Sequence, residues 1–148
     1  MALLGRIIVI LFALFMASAA AGIATAIALL GAELHMVGTD PIEHAFFWGT
    51  AAFASGVTVF VGFLPILIAV VLAEAFSIRS LVIQAGAGAA ILLLGYYSAG
   101  FTRSYEESID HPPPPISREA EIAAAVGVVF GFTYWLIAGR NAGRWRGR

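Results

Sequence analysis

Length, composition and charge predict an integral membrane protein. Of the 148 residues, 61% are hydrophobic and 11% are charged, and the formal net charge is −1 at pH 7, whereas soluble domains carry about 25% charged residues. The chain has no cysteine and its basic residues are all arginine, which excludes disulfides, thiolate metal sites, thiol nucleophiles and lysine Schiff bases.

Four uncharged apolar stretches account for most of the chain. Each reaches the roughly 20 residues that a helix needs to cross about 30 Å of hydrocarbon. The sequence therefore predicts one transmembrane domain over residues 1–148, an all-α four-helix membrane bundle. The predicted spans are about 7–32, 41–73, 80–100 and 118–139, with an outer proline-rich link at 101–117 and a basic tail at 140–148.

The first span resembles a secretory signal in its early part. Arg6 precedes an apolar run that leads to Ala17, Ser18 and Ala19, which have the small side chains of a cleavage site. Because the apolar run continues to Leu30, we expect an uncleaved first helix. Removal of this segment as a signal is the alternative.

The second span begins with a recognisable helix start. Asp40 is the expected N-cap, Pro41 the first helical residue and Glu43 the capping-box partner. A helix from there to residue 73 is longer than the bilayer core is thick, so it must tilt, bend or project. Pro65 is the expected hinge, because proline removes the backbone hydrogen bond to Val61.

The start of the fourth span follows a stiff link. Residues 112–115 are all proline and predict a short polyproline spacer. Ser117 is the expected N-cap of the fourth helix, with Glu119 and Glu121 in the first turn, where the helix dipole favours negative charge. Tyr134, near the other end of this helix, is expected at the water–lipid boundary.

The distribution of arginine predicts the orientation. Arg6, Arg79 and the tail arginines fall on one side of the predicted bundle, while Arg103 and Arg118 fall on the other. Cytoplasmic segments are enriched in basic residues, so we expect up-down-up-down topology with both termini in the cytoplasm. Glu74 and Arg79 flank the inner turn, where we expect them to form a solvated pair. The tail residues expected to contact lipid headgroups or a partner are Arg140, Arg144, Arg146 and Arg148.

Small residues recur at four-residue spacing within the spans, which is typical of close helix–helix packing in lipid. The glycines expected to mediate this packing are Gly22, Gly56, Gly127 and Gly131. Within the predicted spans, only Gly127 and Gly131 form a strict GxxxG motif. Packing inside one bundle is favoured over formation of a homodimer.

One cluster of residues resembles a chemical site. Its members, all near the outer ends of the first two spans, are Glu33, His35, Asp40, Glu43 and His44. Histidine and carboxylate groups can bind a divalent metal, and two histidines can bind haem. No standard ligand spacing is present, and helix capping already explains part of the cluster. We therefore expect neither a metal nor a cofactor, and keep these five residues as weak metal candidates.

The predicted function follows from what the spans lack. Neither an acid nor a base lies near the middle of any span, and transporters that couple to protons normally carry such a group there. We expect a non-enzymatic accessory, assembly or scaffold subunit of the bacterial inner membrane, which contacts lipid and other membrane subunits or copies of itself, but no nucleic acid. The alternatives are a small oligomeric channel or carrier for a neutral or lipid-like solute, and a metal or redox protein.

Overall fold

A computed structural model of the chain describes residues 2–31, 40–99 and 116–143. The described residues form four α-helices, followed by one short 3₁₀ turn at Gly139–Asn141. The helices are α1 (Ala2–Leu30), α2 (Pro41–Ala75), α3 (Leu81–Ser98) and α4 (Arg118–Ile137). All four are long and apolar enough to cross a membrane. The predicted all-α class with four candidate spans is confirmed.

Local side-chain bonds fix two of the helix starts. The Asp40 carboxylate accepts a hydrogen bond from the backbone N–H of Ile42 at 3.0 Å, and Pro41 occupies the first turn of α2. The Ser117 hydroxyl accepts one from the backbone N–H of Ala120 at 3.2 Å. Both N-cap predictions are confirmed, and each bond satisfies a backbone donor that the helix itself leaves unpaired.

Helix α2 continues through Pro65. It has 35 residues, which corresponds to about 52 Å at 1.5 Å per residue, well beyond a hydrocarbon core of about 30 Å. Pro65 lies inside this helix and has no backbone N–H to donate. Because the helix extends on both sides of the proline, the hinge at Pro65 stays a prediction.

Small residues form much of the core. Three alanines of α1, spaced four residues apart, have no solvent exposure: Ala13, Ala17 and Ala21. They share one cluster with Phe130 and Tyr134 of α4 and with Val70 of α2. No large side chain is fully buried among the described residues. In lipid, where apolar side chains gain little by leaving the solvent, this use of small residues lets helix backbones approach closely.

Helix α3 packs mainly on α4 and only sparsely on α2. At the α3–α4 contact, a Cβ added to Gly127 would collide with the Gly88 carbonyl oxygen and lie 2.6 Å from the Ala89 Cα. One added to Gly131 would collide with the Gln84 carbonyl oxygen. Only glycine leaves room for this approach of the two backbones. The sparse α2–α3 boundary, in contrast, leaves an opening in the side of the bundle.

Candidate functional site

A buried ion pair joins α1 to α2 at one end of the bundle. The Arg6 guanidinium forms a salt bridge with the Glu74 carboxylate, in which the Arg6 Nε lies 3.0 Å from the Glu74 Oε1. The two side chains are only 11% and 12% exposed. Arg6 also donates to the backbone oxygen of Ala138, at 2.8 Å, just after α4. The pair therefore connects α1, α2 and the end of α4.

The segment after α4 completes this polar cluster. The backbone N–H of Gly143 donates to the Glu74 Oε2 at 3.0 Å, and the Arg79 Nε donates to the Ala142 oxygen at 3.0 Å. The indole N–H of Trp135 donates to the Arg79 backbone oxygen at 2.8 Å. The turn between α2 and α3 is thereby tied to the end of the described chain.

The sequence did not indicate the main partner of Glu74. The expectation was a solvated pair of Glu74 with Arg79, five positions away. In the structure the Glu74 carboxylate is mostly buried, and its ion-pair partner Arg6 lies 68 positions earlier. Arg79 uses its Nε on a backbone oxygen instead. Spacing along the chain reveals neighbours in one turn, but not which helix ends meet in space.

A crevice opens between α2, α3 and α4 beside this cluster. We call it the Gln84–Tyr134 crevice, after two of the residues that line it. Its volume is about 200 Å³. The walls are otherwise apolar and include Ile66, Val70, Ala73, Ile91 and Phe130.

Two residues that line this crevice also carry a buried polar atom without a described partner. The atoms are the side-chain oxygen of Gln84 and the hydroxyl of Tyr134, and neither has a hydrogen-bond partner among the described residues. The residues are 7% and 6% exposed. The Gln84 Nε2 is satisfied, because it donates to the Ile78 backbone oxygen at 2.8 Å. Tyr134 was expected at the lipid boundary; the structure buries it, because its ring joins the core cluster.

A second open feature is a groove between α1 and α2. It has a volume of about 870 Å³, and we call it the Gly56 groove. Small residues and phenylalanines line most of it. The lining residues are Phe15, Ser18, Ala19, Ala52, Ser55, Gly56, Val59, Phe60 and Phe63. The hydroxyls of Ser18 and Ser55 donate to Leu14 and Ala51 of their own helices.

The four glycines expected to pack helices have different positions. Gly127 and Gly131 lie at the α3–α4 contact, and Gly22 lies against α2, where an added Cβ would collide with the Ala51 carbonyl oxygen and the Ser55 hydroxyl. Gly56 differs: an added Cβ there would meet no described heavy atom within 4 Å. Gly56 therefore makes no close contact with another described helix, and its predicted role in helix packing stays a prediction.

The predicted metal candidates are only partly described. Asp40 caps α2 through Ile42, and the His44 Nε2 accepts a hydrogen bond from the Trp48 indole at 3.2 Å. Among the described residues, no three metal-ligating side chains form a group. Glu33 and His35 lie outside the described residues, as do the tail residues Arg144, Arg146 and Arg148. Arg140 is described, and it is exposed within the 3₁₀ turn after α4.

Comparison with known proteins adds no assignment to this geometry. The buried ion-pair cluster, the Gln84–Tyr134 crevice and the Gly56 groove must be interpreted from their own residues. The chain matches no protein family model, no curated protein and no solved structure.

Proposed function

We propose that this chain is a non-enzymatic accessory, assembly or scaffold subunit that packs against a larger membrane complex. The observation that carries the proposal is the outward small-residue face of α2 at the Gly56 groove. This face is well shaped for close approach of another helix, and none of the described helices of the chain occupies it.

The outward face follows helical spacing. Gly49, Ala52 and Gly56 are separated by three and four positions, which places them on one side of α2. All three are exposed, and added Cβ atoms at Gly49 and Gly56 would meet no described heavy atom within 4 Å. Glycine in a helix interior costs about 0.5–1 kcal/mol relative to alanine. An outward glycine does not offset this cost by close packing inside the chain.

A partner helix that packs on this face of α2 would supply the stabilising contacts. Small residues allow two backbones to come close, which strengthens dispersion contacts in lipid. Phe15, Phe60 and Phe63 also line the groove, and they could pack against a helix that contacts its small residues. The serine hydroxyls of the groove already donate to their own helices, so the matching partner surface is apolar and uncharged. These features support a transmembrane helix of another subunit as the occupant.

The same proposal includes the orientation in the membrane. We propose up-down-up-down topology with both termini on the cytoplasmic side of a bacterial inner membrane. In support, Arg6 and Arg79 both contact the segment that follows α4, which also contains Arg140, whereas Arg118 starts α4. Basic residues gather on the cytoplasmic side of inner-membrane proteins.

A non-enzymatic role is supported by how the polar groups are bonded. The hydroxyls of Thr25, Thr58 and Thr133 each donate to the backbone oxygen four positions earlier in their own helix. A nucleophilic hydroxyl needs an adjacent base instead. The Glu74 carboxylate is held by Arg6 and by Gly143, so it is arranged as a structural acceptor.

Two matched variants test the proposal. Gly56→Leu and Gly86→Leu each add a side chain at an exposed helix position where a Cβ meets no described heavy atom within 4 Å, so both should fold. Native electrophoresis after mild detergent extraction should show the parent chain and Gly86→Leu in a large assembly, and Gly56→Leu at the mass of the free chain. Mass spectrometry of the assembly should identify other membrane proteins.

Three results would contradict this proposal. The parent chain could migrate alone under mild extraction, Gly56→Leu could remain in the assembly, or the assembly could contain copies of this chain only. The last result would establish self-association through α2 in place of a role in a larger complex.

A further inference from the structure

The described charges divide sharply between the two ends of the bundle. Acids outnumber arginine at the end where α2 and α4 begin, where the charged residues are Asp40, Glu43, Arg118, Glu119 and Glu121. At the opposite end, hydrogen bonds join the start of α1 to the ends of α2 and α4. We call this the Arg79 end, and its described charged residues are Arg6, Glu74, Arg79 and Arg140.

The acid of the Arg79 end is already engaged. Glu74 forms the salt bridge with Arg6 and also accepts a hydrogen bond from the backbone N–H of Gly143. Arg79 and Arg140 are both exposed, and neither forms a salt bridge with a described acid. The Arg79 end therefore carries positive charge that the described part of the chain does not neutralise.

The two exposed arginines belong to one patch. The Arg79 Nε donates to the Ala142 oxygen at 3.0 Å, and Ala142 follows Arg140 by two positions in the segment after α4. This bond holds the Arg79 guanidinium against that segment and uses only its Nε. The two NH2 groups donate to no described residue, so they can form the paired hydrogen bonds that a guanidinium makes with phosphate oxygens.

The neighbours of Arg79 place it at the level of lipid headgroups. The Trp135 indole N–H donates to the Arg79 backbone oxygen at 2.8 Å, and tryptophan prefers the boundary between hydrocarbon and water. Phe76 and Val82, on either side of Arg79 in the sequence, are 73% and 78% exposed. Since α2 and α3 are apolar enough to span a membrane, these apolar side chains face lipid, and Arg79 lies where phosphates are found.

We propose that Arg79 and Arg140 bind the phosphate of an anionic phospholipid in the adjoining leaflet. A zwitterionic headgroup also has a phosphate, but its ammonium would meet uncompensated positive charge and no acid that is free to accept it. The lipid takes the place beside Arg79 that was expected for Glu74. The patch shares no residue with the Gly56 groove, so the inference goes beyond the proposed docking role and does not depend on it.

A lipid titration tests this inference. The purified, lipid-depleted chain in mild detergent is titrated with phosphatidylglycerol or with phosphatidylcholine of the same acyl chains, and bound lipid is counted by native mass spectrometry. Phosphatidylglycerol should bind about fivefold more tightly or better, since an arginine near anionic lipid contributes about 1 kcal/mol. Inorganic phosphate at the same ionic strength should not displace it, because the acyl chains also hold the lipid on the chain.

Arginine variants identify the patch. Arg79→Gln and Arg140→Gln should each lower the apparent affinity for phosphatidylglycerol about fivefold and leave that for phosphatidylcholine unchanged. Arg140→Gln removes an exposed side chain, so it should fold even if loss of the Arg79–Ala142 bond perturbs the other variant. Arg118→Gln, at an exposed arginine of the opposite end, is the matched control and should retain the parent affinity.

Four outcomes would overturn the inference. Equal affinities for the two lipids would show that headgroup charge is not recognised. Unchanged affinity in either variant of the patch would place the lipid elsewhere, and an equal loss in Arg118→Gln would trace binding to the charge of the whole chain. Displacement by inorganic phosphate would indicate a site for soluble anions in place of a lipid.

Discussion

The two sides of α3 differ in how closely they meet their neighbours. On the α4 side, Gly88, Gly127 and Gly131 bring the backbones so close that one methyl group would collide with main-chain atoms. On the α2 side, contacts are sparse, and a crevice of about 200 Å³ remains. The chain itself fills the α3–α4 boundary, whereas it leaves the α2–α3 boundary partly open.

This difference distinguishes small residues that the fold requires from small residues that are free to contact another molecule. A glycine whose added Cβ would strike a backbone, such as Gly127, is required by the fold. A glycine on an open face, such as Gly49 or Gly56, has no such requirement within the described chain. In lipid, packing provides most of the association energy between helices. Open faces therefore indicate where other molecules are expected to bind.

The largest effect is expected at the ion pair that joins α1 to the end of α2. Arg6→Met leaves the Glu74 carboxylate buried without its guanidinium, and breaking a buried pair in this way costs about 3–5 kcal/mol. The unfolding free energy, measured by steric trapping in bicelles, should fall by that amount. Arg140→Met, at an exposed arginine, is the control and should change it by less than about 0.5 kcal/mol.

The double variant Arg6→Met with Glu74→Gln sharpens this prediction. It leaves no buried charge at this position and keeps an acceptor for the Gly143 N–H, so it should be clearly more stable than Arg6→Met alone. A single Arg6→Met variant with parental stability would show that the ion pair does not hold α1 to α2.

The tight α3–α4 boundary should respond to the smallest possible side chain. Gly127→Ala places a methyl group against the Gly88 oxygen and the Ala89 Cα, and overpacking of this kind costs about 1–3 kcal/mol. The unfolding free energy is again measured by steric trapping in bicelles. Gly86→Ala on the open side of α3 is the control, because its Cβ meets no described heavy atom within 4 Å. Equal stability of these two variants would contradict the close α3–α4 contact.

The buried hydroxyl of Tyr134 gives a prediction of opposite sign. Tyr134→Phe removes a hydroxyl that lacks a described partner, so the unfolding free energy should rise by about 1 kcal/mol. Tyr97→Phe should leave it unchanged, since the Tyr97 side chain is exposed. A loss of stability in Tyr134→Phe would mean that its hydroxyl already has a partner in the bundle.

The smallest effect is expected on the outward face of α2. Gly49→Ala adds a methyl group at a position where the Cβ meets no described heavy atom within 4 Å, and it lowers the entropy of the unfolded chain. The isolated chain should gain about 0.5–1 kcal/mol in unfolding free energy. A loss of stability would indicate that this face of α2 packs within the chain after all.

Local features of the fold could be predicted from the sequence. The four spans follow from uncharged runs of membrane length, and the caps at Asp40 and Ser117 follow from short polar side chains placed before helical runs. These features depend on neighbouring residues only. The GxxxG motif of Gly127 and Gly131 also marked residues that the structure places at a close helix contact.

Features that depend on the relative rotation of the helices could not be predicted. Rows of small residues on α1 and α2 looked alike in the sequence, yet Gly22 faces a neighbouring helix and Gly56 faces outward. Arg6 and Glu74 are 68 positions apart, so no spacing rule relates them. The crevice combines a residue of α3 with a residue of α4, and its opening depends on how far α2 stands from α3.

Cross-linking at Gly56 in native membranes tests the central claim most directly. The chain has no cysteine, so Gly56→Cys carries a single site for a maleimide-linked benzophenone, and Val82→Cys on the exposed face of α3 is the matched control. Irradiation should yield, for Gly56→Cys only, a discrete adduct that contains another membrane protein. Adducts with lipid alone at both positions would contradict the assignment of the Gly56 groove as a docking surface.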